Sequence, residues 1–322
     1  MKERLKILVI RFSSIGDIIL TTPVIRCLSI QLNAKLDFLT NRKYSKVLET
    51  NIYIDNTYSL CEDKKVTLEI LKAKEYDYIV DLQNNLKSLR IRKALTAKSF
   101  SYSKNTLKRY LLIYFGINLL NDHIVDRYFK SVLKLAVFND YKGIDYFLSN
   151  NSNFSFNTDQ DYLCWCIGGT YEQKKLSYKQ ISNVVNKLKI PVLFLGTDKE
   201  KIISSKVIDN SESSEIYDLC GMTTIQQSAY LISKSKLVLT NDTGMMHIAA
   251  AFNVPIISFW GCTSPSLGFE AYMPAKDSEK IISPVSRRPC SKHGKYCRHQ
   301  SNGCIKEIKS QTIYDAILRL LK

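Results

Sequence analysis

Along this chain, apolar runs bounded by turn residues alternate with segments of helical spacing. KILVIRF is followed by LTTPVIRCLSIQL, YDYIVDL by a basic helix-like segment, and then come YLCWCIGG, PVLFLG, KLVLTND and PIISFWG. A strand that is apolar at nearly every position is buried on both faces, which is the condition of a parallel sheet covered by helices. The pattern therefore predicts α/β architecture. NDYKGIDYFLSNNSNFSFNTDQD, residues 139–161, is rich in Asn, Ser and Asp and reads as a linker between two alternating halves. The tail from Ser310 to Lys322 sets Ile313, Ile317, Leu320 and Leu321 on one helical face, which must dock against something.

Length agrees with two cores, because 322 residues exceed the ~250 that one core usually serves. With 45% hydrophobic and 24% charged residues, 12 glycines and 7 prolines, the composition is that of a folded globular protein. The opening MKERLKILVI breaks at Arg11 and Asp17 and reads as a first strand, so export is not expected. No apolar stretch reaches the ~20 residues of a membrane span, and any membrane contact is expected to be peripheral.

The formal net charge of +16 favours a polyanionic partner: nucleic acid, phosphorylated glycan or an anionic leaflet. Nucleic acid is the weakest of these, since no RRM, KH, helix-turn-helix or zinc-finger signature is present. Nine cysteines without an export signal imply a reducing, cytoplasmic setting. Cys27, Cys61, Cys164, Cys166 and Cys220 are scattered and expected to be buried. Cys290, Cys297 and Cys304 recur at equal intervals, and with His293 they could complete a tetrahedral zinc site. The spacing lacks a C-x-x-C knuckle, so the stretch is read as a structural loop with no metal required.

Two loops carry candidate chemistry. The first strand runs into SSIGD, with the helix expected near IILTTPVIRCL, and an acid at the carboxyl end of a first parallel strand lies where open α/β sheets bind ligands. Asp17 can act there chemically or merely cap the helix. A dinucleotide-binding loop would need G-x-G-x-x-G, and only Gly16 is present, which argues against a Rossmann oxidoreductase. In KLVLTNDTGMMHIAAAFNVP, a strand ends at Asn241 and Asp242, Thr243 and Gly244 turn the chain, and a helix carrying His247 begins. Backbone N–H groups at such a start suit phosphate oxygens, so a diphosphate fits there. His247 either contacts ligand oxygen or is a satisfied buried imidazole.

SSIGDIILTTP together with NDTGMMHIAAAFNVPIISFWGCTSP resembles glycosyltransferase family nine, the ADP-heptose:lipopolysaccharide heptosyltransferases. GGTYEQKKLS resembles that family's Gly-Ala/Thr loop and Lys-x-Trp-Pro, with Leu176 and Ser177 in place of Trp and Pro. PVLFLGTDKE and VDLQNNLKSLRIRK resemble two further family elements, so the likeness spans nearly the whole length.

The resemblance implies the GT-B fold: two Rossmann-like domains with parallel sheets facing across a cleft, expected at 1–155 (acceptor) and 156–309 (nucleotide sugar), with helix 310–322 crossing back to the first. It implies inverting, metal-independent transfer of heptose from ADP-heptose to the inner core of lipopolysaccharide, without a cofactor. Asp17 would be the base and Lys174, or Lys175 in its stead, would stabilise the leaving diphosphate. Thr170, Thr243, Gly244 and His247 would contact phosphate, Glu200 ribose, Asp242 sugar hydroxyls, and Met222 and Thr223 the base. Ser14, Gly16, Asn85, Lys87 and Arg90 fall in the acceptor motifs. Lys87, Arg90, Arg92, Lys93, Lys98, Lys104, Lys108 and Arg109 occur without an intervening acid, which points to an anionic acceptor or a face against the inner membrane. A related transferase using another nucleotide sugar or surface glycan remains the main alternative.

Overall fold

The computed structural model describes residues 4–60, 64–154, 160–212 and 215–322, in two compact units. Cys61 and part of the expected linker, residues 155–159, lie outside the described residues.

The first unit comprises residues 1–105 and 122–147. Its elements run Lys6–Ile10 (β1), Ile15–Ile19 (α1), Thr22–Leu32 (α2), Lys35–Asn41 (β2), Asn56–Leu60 (β3), Lys64–Lys72 (α3), Tyr78–Asp81 (β4), Leu86–Leu95 (α4) and Lys98–Ser101 (β5). Thr106–Tyr110 (α5) already belongs to the second unit, and Ile124–Val132 (α6) completes the first. The strands form one sheet of order β3-β2-β1-β4-β5, parallel throughout. Central β1 is buried from Ile7 to Ile10 because helices cover both faces. Pro23 in the first turn of α2 costs no hydrogen bond, and Asn33 in the left-handed region ends that helix.

The second unit, residues 106–121 and 148–322, continues with Leu163–Cys166 (β6), Tyr178–Val185 (α7), Val192–Leu195 (β7), Lys201–Asp209 (α8), Ile216–Asp218 (β8), Ile225–Lys234 (α9), Leu237–Asn241 (β9), Gly244–Ala251 (α10), Ile256–Trp260 (β10), Glu279–Ile282 (β11) and Ser310–Leu320 (α11). Its sheet order is β11-β10-β9-β6-β7-β8, again all parallel. Counted from β6, this is the doubly wound order 3-2-1-4-5-6. Trp165 on β6 meets Phe194 of the adjacent β7 and Phe259 of β10 at 6.3 and 6.2 Å between ring centroids.

The expected α/β class with two parallel sheets is present. Three boundaries differ. The segment read as linker is held to the first unit as far as Phe147, because buried Arg26 on α2 reaches Asp140 at 2.8 Å, the carbonyl of Gly143 at 2.9 Å, and Asp145. Residues 106–121, expected in the first domain, belong to the second. Helix α11, expected to cross back, buries Ile313, Ala316 and Ile317 in the second unit's own core. Its amphipathic pattern demanded a partner without saying which. Among the described residues one helical stretch, Ile15–Leu32, is long and apolar enough to cross a membrane, and 67% of it is buried inside the protein.

Candidate functional site

Strand order reverses beside β1 in the first unit, and the loop leaving its carboxyl end carries Asp17. The sequence placed residues 15–17 in a loop; they form the first turn of α1, with Ser14 as its N-cap and Gly16 buried. The Ser14 N–H and hydroxyl donate to Asp17 Oδ2 at 3.1 and 2.9 Å, and Arg11 Nη2 stands 2.8 Å from Oδ1. Capping is thus realised, and the carboxylate is oriented by it while its side chain stays 23% exposed. Arg11 was missed by sequence reasoning, although a charge closing an apolar strand was the available signal. Its Nη1 donates to the Leu82 carbonyl at 2.6 Å and lies 3.0 Å from the Tyr128 hydroxyl, tying the ends of β1 and β4 to α6. Burial works against the guanidinium charge, but Asp17 and the phenols outweigh it and hold its pKa above the ordinary value.

Asn85 caps α4: its side chain accepts from the Ser88 N–H at 2.9 Å, and Ser88 Oγ accepts from the Asn85 N–H at 2.9 Å. Lys87 lies over the Phe12 ring at 5.1 Å and Arg90 is exposed. The basic run is not one face. Arg92 is 3.1 Å from the fully buried Asp81, Arg109 is itself buried, and Lys108 and Arg109 fall in the second unit.

In the second unit the order reverses between β6 and β9, and the two loops leaving these strands converge. Buried Asn241, at the end of β9, donates to the carbonyls of Ile167 and Gly168 after β6 at 3.3 and 2.8 Å, which joins the loops. The loop after β6 carries exposed Thr170 and then a 3-10 turn, Glu172–Lys174. Lys174 Nζ is 2.7 Å from Asp242, whereas Lys175 Nζ is 3.1 Å from Glu200. The two lysines therefore serve different acids. Leu176 and Ser177, which depart from the family pattern, have clear roles: Leu176 is buried in the core and Ser177 caps α7.

Glu200 is 5% exposed, which removes its reading as a solvated turn acid. Its Oε2 accepts from the Thr197 N–H at 3.0 Å and hydroxyl at 2.6 Å. Burial pushes its carboxyl pKa up, but Thr197 and Lys175 prevail and the net direction is downward. Only glycine fits at Gly196, just after β7, since a Cβ there would stand 2.8 Å from the Glu200 Cβ. Thr197 and Asn241, which set this geometry, were not singled out from the sequence; they support Glu200 and the loops through folds that pattern alone does not reveal.

Thr243 is the extended N-cap of α10 and makes no side-chain cap bond, so the first N–H groups of the helix, Gly244 onward, are not occupied by the cap. Its hydroxyl lies 3.1 Å from that of Thr240. His247, one turn in, is 4% exposed, in line with a buried imidazole. Met222 is 60% exposed and Thr223 bonds Ser228 at 2.8 Å between hydroxyls. The second unit thus gathers Thr170, Lys174, Asp242, Thr243 and Gly244 on the two β6 and β9 loops, with Lys175 and Glu200 alongside.

The late cysteines also converge, with one correction. Four sulfurs, from Cys262, Cys290, Cys297 and Cys304, lie within 4.8 Å of one another, and His293 is exposed and not among them. Cys262 is distant in sequence and sits just after β10, so only the return of the chain along β11 brings it into the group. Cys27, Cys164, Cys166 and Cys220 are buried as expected.

A family model described as glycosyltransferase family 9 (heptosyltransferase) matches residues 67–301. Lipopolysaccharide heptosyltransferase 1 of Campylobacter coli is 25% identical over 98% of this chain and 99% of its own length. Among solved structures, a family 9 glycosyl transferase from Veillonella parvula is similar with a TM-score of 0.80 at 18% identity, covering 100% of this chain and 98% of that one. The E. coli ADP-heptose lipopolysaccharide heptosyltransferase II is similar with a TM-score of 0.74 at 20% identity, covering 98% of each chain.

Proposed function

The chain belongs to glycosyltransferase family 9, the heptosyltransferases, and on that premise we propose that it transfers heptose from ADP-heptose to the inner core of lipopolysaccharide. The observation that carries this reading is the pair of loops at the reversal point of the second sheet, where Lys174 is held 2.7 Å from Asp242 beside the start of α10. A cation and backbone N–H groups directed at one place suit a diphosphate leaving group, whose charge grows as the sugar departs.

In this mechanism Lys174 and the N–H groups at Gly244 take up that growing charge. Asp242 orients sugar hydroxyls, and Glu200 with Lys175 recognises the ribose; Thr170, Met222 and Thr223 complete the donor contacts. Asp17, fixed by Ser14 and Arg11, removes the proton from the acceptor hydroxyl as the new bond forms with inversion. A carboxylate is a weak base, so its contribution is set by position and by the electrophilicity of the sugar cation. Ser14, Gly16, Asn85, Lys87 and Arg90 serve the anionic acceptor.

A cytoplasmic location at the face of the inner membrane belongs to the same proposal. It is supported by exposed Leu107, Tyr110, Tyr114, Phe115, Ile117 and Leu119, an apolar stretch with exposed Lys108 beside it and a net charge of +16 overall. The deciding experiment incubates the full chain with ADP-heptose and a truncated, phosphorylated lipopolysaccharide. A mass gain of one heptose residue is expected; no gain, or a preference for UDP-sugars, overturns the assignment.

A further inference from the structure

Cys262 follows β10, Cys290 follows β11, Cys297 lies in the next loop, and Cys304 opens a 3-10 turn, so four separate backbone positions deliver sulfur to one point. The Cys262 and Cys304 sulfurs are 3.7 Å apart, and those of Cys290 and Cys297 are 4.0 Å apart. A disulfide requires about 2.05 Å, so these are not bonded pairs. A tetrahedron with metal–sulfur bonds of about 2.3 Å has edges of about 3.8 Å, which both measured separations match. Cys262, Cys290 and Cys304 are buried, and apolar packing of four separate thiols does not by itself demand a tetrahedral separation.

Two independent features fit a bound cation with four thiolates. The first is charge. Such a group carries two net negative charges, and half-buried Arg288, two residues before Cys290, has a buried Nη1 with no hydrogen-bond partner among the protein groups described. The second is an N–H to sulfur bond from His299 to Cys297 at 3.4 Å, the kind of outer contact that orients a thiolate ligand.

We infer that Cys262, Cys290, Cys297 and Cys304 bind one structural zinc ion. Zinc suits four sulfur ligands in a closed tetrahedral site and brings no redox chemistry. Binding releases the thiol protons to solvent as four thiolates form on the metal. The same loops back the proposed donor site. A Cβ at Gly294, between Cys290 and Cys297, would stand 2.4 Å from Lys174 Cγ, and one at Gly303, before Cys304, 2.6 Å from the Gln173 Cα. On the donor-site reading above, the ion therefore fixes the wall against which Lys174 is packed.

Elemental analysis of the full chain purified without added metal or chelator tests the site without reference to transfer. About one zinc per chain is expected. Cys262→Ser and Cys297→Ser should each lose it, whereas His293→Ala and Cys27→Ser should retain it. Cobalt(II) added to metal-free wild-type protein should give the intense absorption of a tetrahedral four-thiolate complex, which keeps the test independent of whether the serine variants fold. Iron in place of zinc overturns the metal assignment, and zinc retained by Cys262→Ser overturns the ligand set. Absence of metal together with absence of the cobalt spectrum overturns the site. Metal removal should also raise the donor KM roughly tenfold with a smaller change in kcat. Stoichiometric zinc with no effect on donor KM separates a sound metal site from a mistaken donor site.

Discussion

Lys174 stands 2.7 Å from Asp242, joining the loop after the first strand of the second sheet to the loop after its fourth. Its neighbour Lys175 instead pairs with buried Glu200 at 3.1 Å. Adjacent lysines thus answer to different carboxylates, and their replacements should fail in different ways. Lys174→Ala should lower kcat/KM about 10²-fold and weaken ADP far more than adenosine. Lys175→Ala should weaken both nucleotide and nucleoside. Calorimetric titration with the two ligands checks this, and equal losses in both variants would refute the division of labour.

Asp17→Asn keeps the size of the side chain and an acceptor for Ser14 but removes the base. Transfer should fall by about 10²–10⁴-fold while the Kd for ADP stays within error. Turnover near the wild-type rate would assign the proton to another group.

Glu200 makes a pH-dependent contribution whose sign follows from its downward-shifted pKa. The stability it adds is complete above the ordinary carboxylate range and disappears as pH falls through its own depressed value. Glu200→Gln does not titrate, so its deficit in unfolding free energy, read from chemical denaturation, should be widest at neutral pH, on the order of 2 kcal/mol, between the values of exposed and buried pairs. The gap should close on acidification. A deficit that is constant with pH would show that the pair contributes nothing through charge.

Lys87 and Arg90 lie on or near the exposed side of α4, whereas Arg92 is committed to Asp81. Charge reversal at Lys87 or Arg90 should raise the KM for a phosphorylated acceptor roughly fivefold, leave the donor KM unchanged, and be blunted by salt. Arg92→Ala should instead lower Tm, because it strands a buried carboxylate. Paired steady-state and melting measurements separate these effects.

Phe115 is 64% exposed, in the apolar stretch that we propose meets the membrane. Phe115→Ser should reduce co-sedimentation with anionic vesicles roughly tenfold, if the ring is buried in the bilayer surface, and should not alter transfer to a soluble acceptor fragment. Unchanged vesicle binding would place the contact elsewhere.

By itself the sequence determined the α/β class and the ends of the central strands, because β1, β4, β6, β7, β9 and β10 are apolar on both faces and their pattern is local. It also located Asp17, Asp242 and Gly244, which lie beside the strand ends whose ligand-binding property is general. Edge strands such as β3 and β8 were not legible, since half-exposed short strands lack that pattern. The tertiary structure alone decided the rest: that Lys174 and Lys175 separate between Asp242 and Glu200, that α11 stays with the second unit, and that Cys262 displaces His293 as the fourth sulfur-cluster partner. Each of these depends on residues far apart in sequence being carried to one place by parallel strand order, and periodicity along a chain holds no record of such distances.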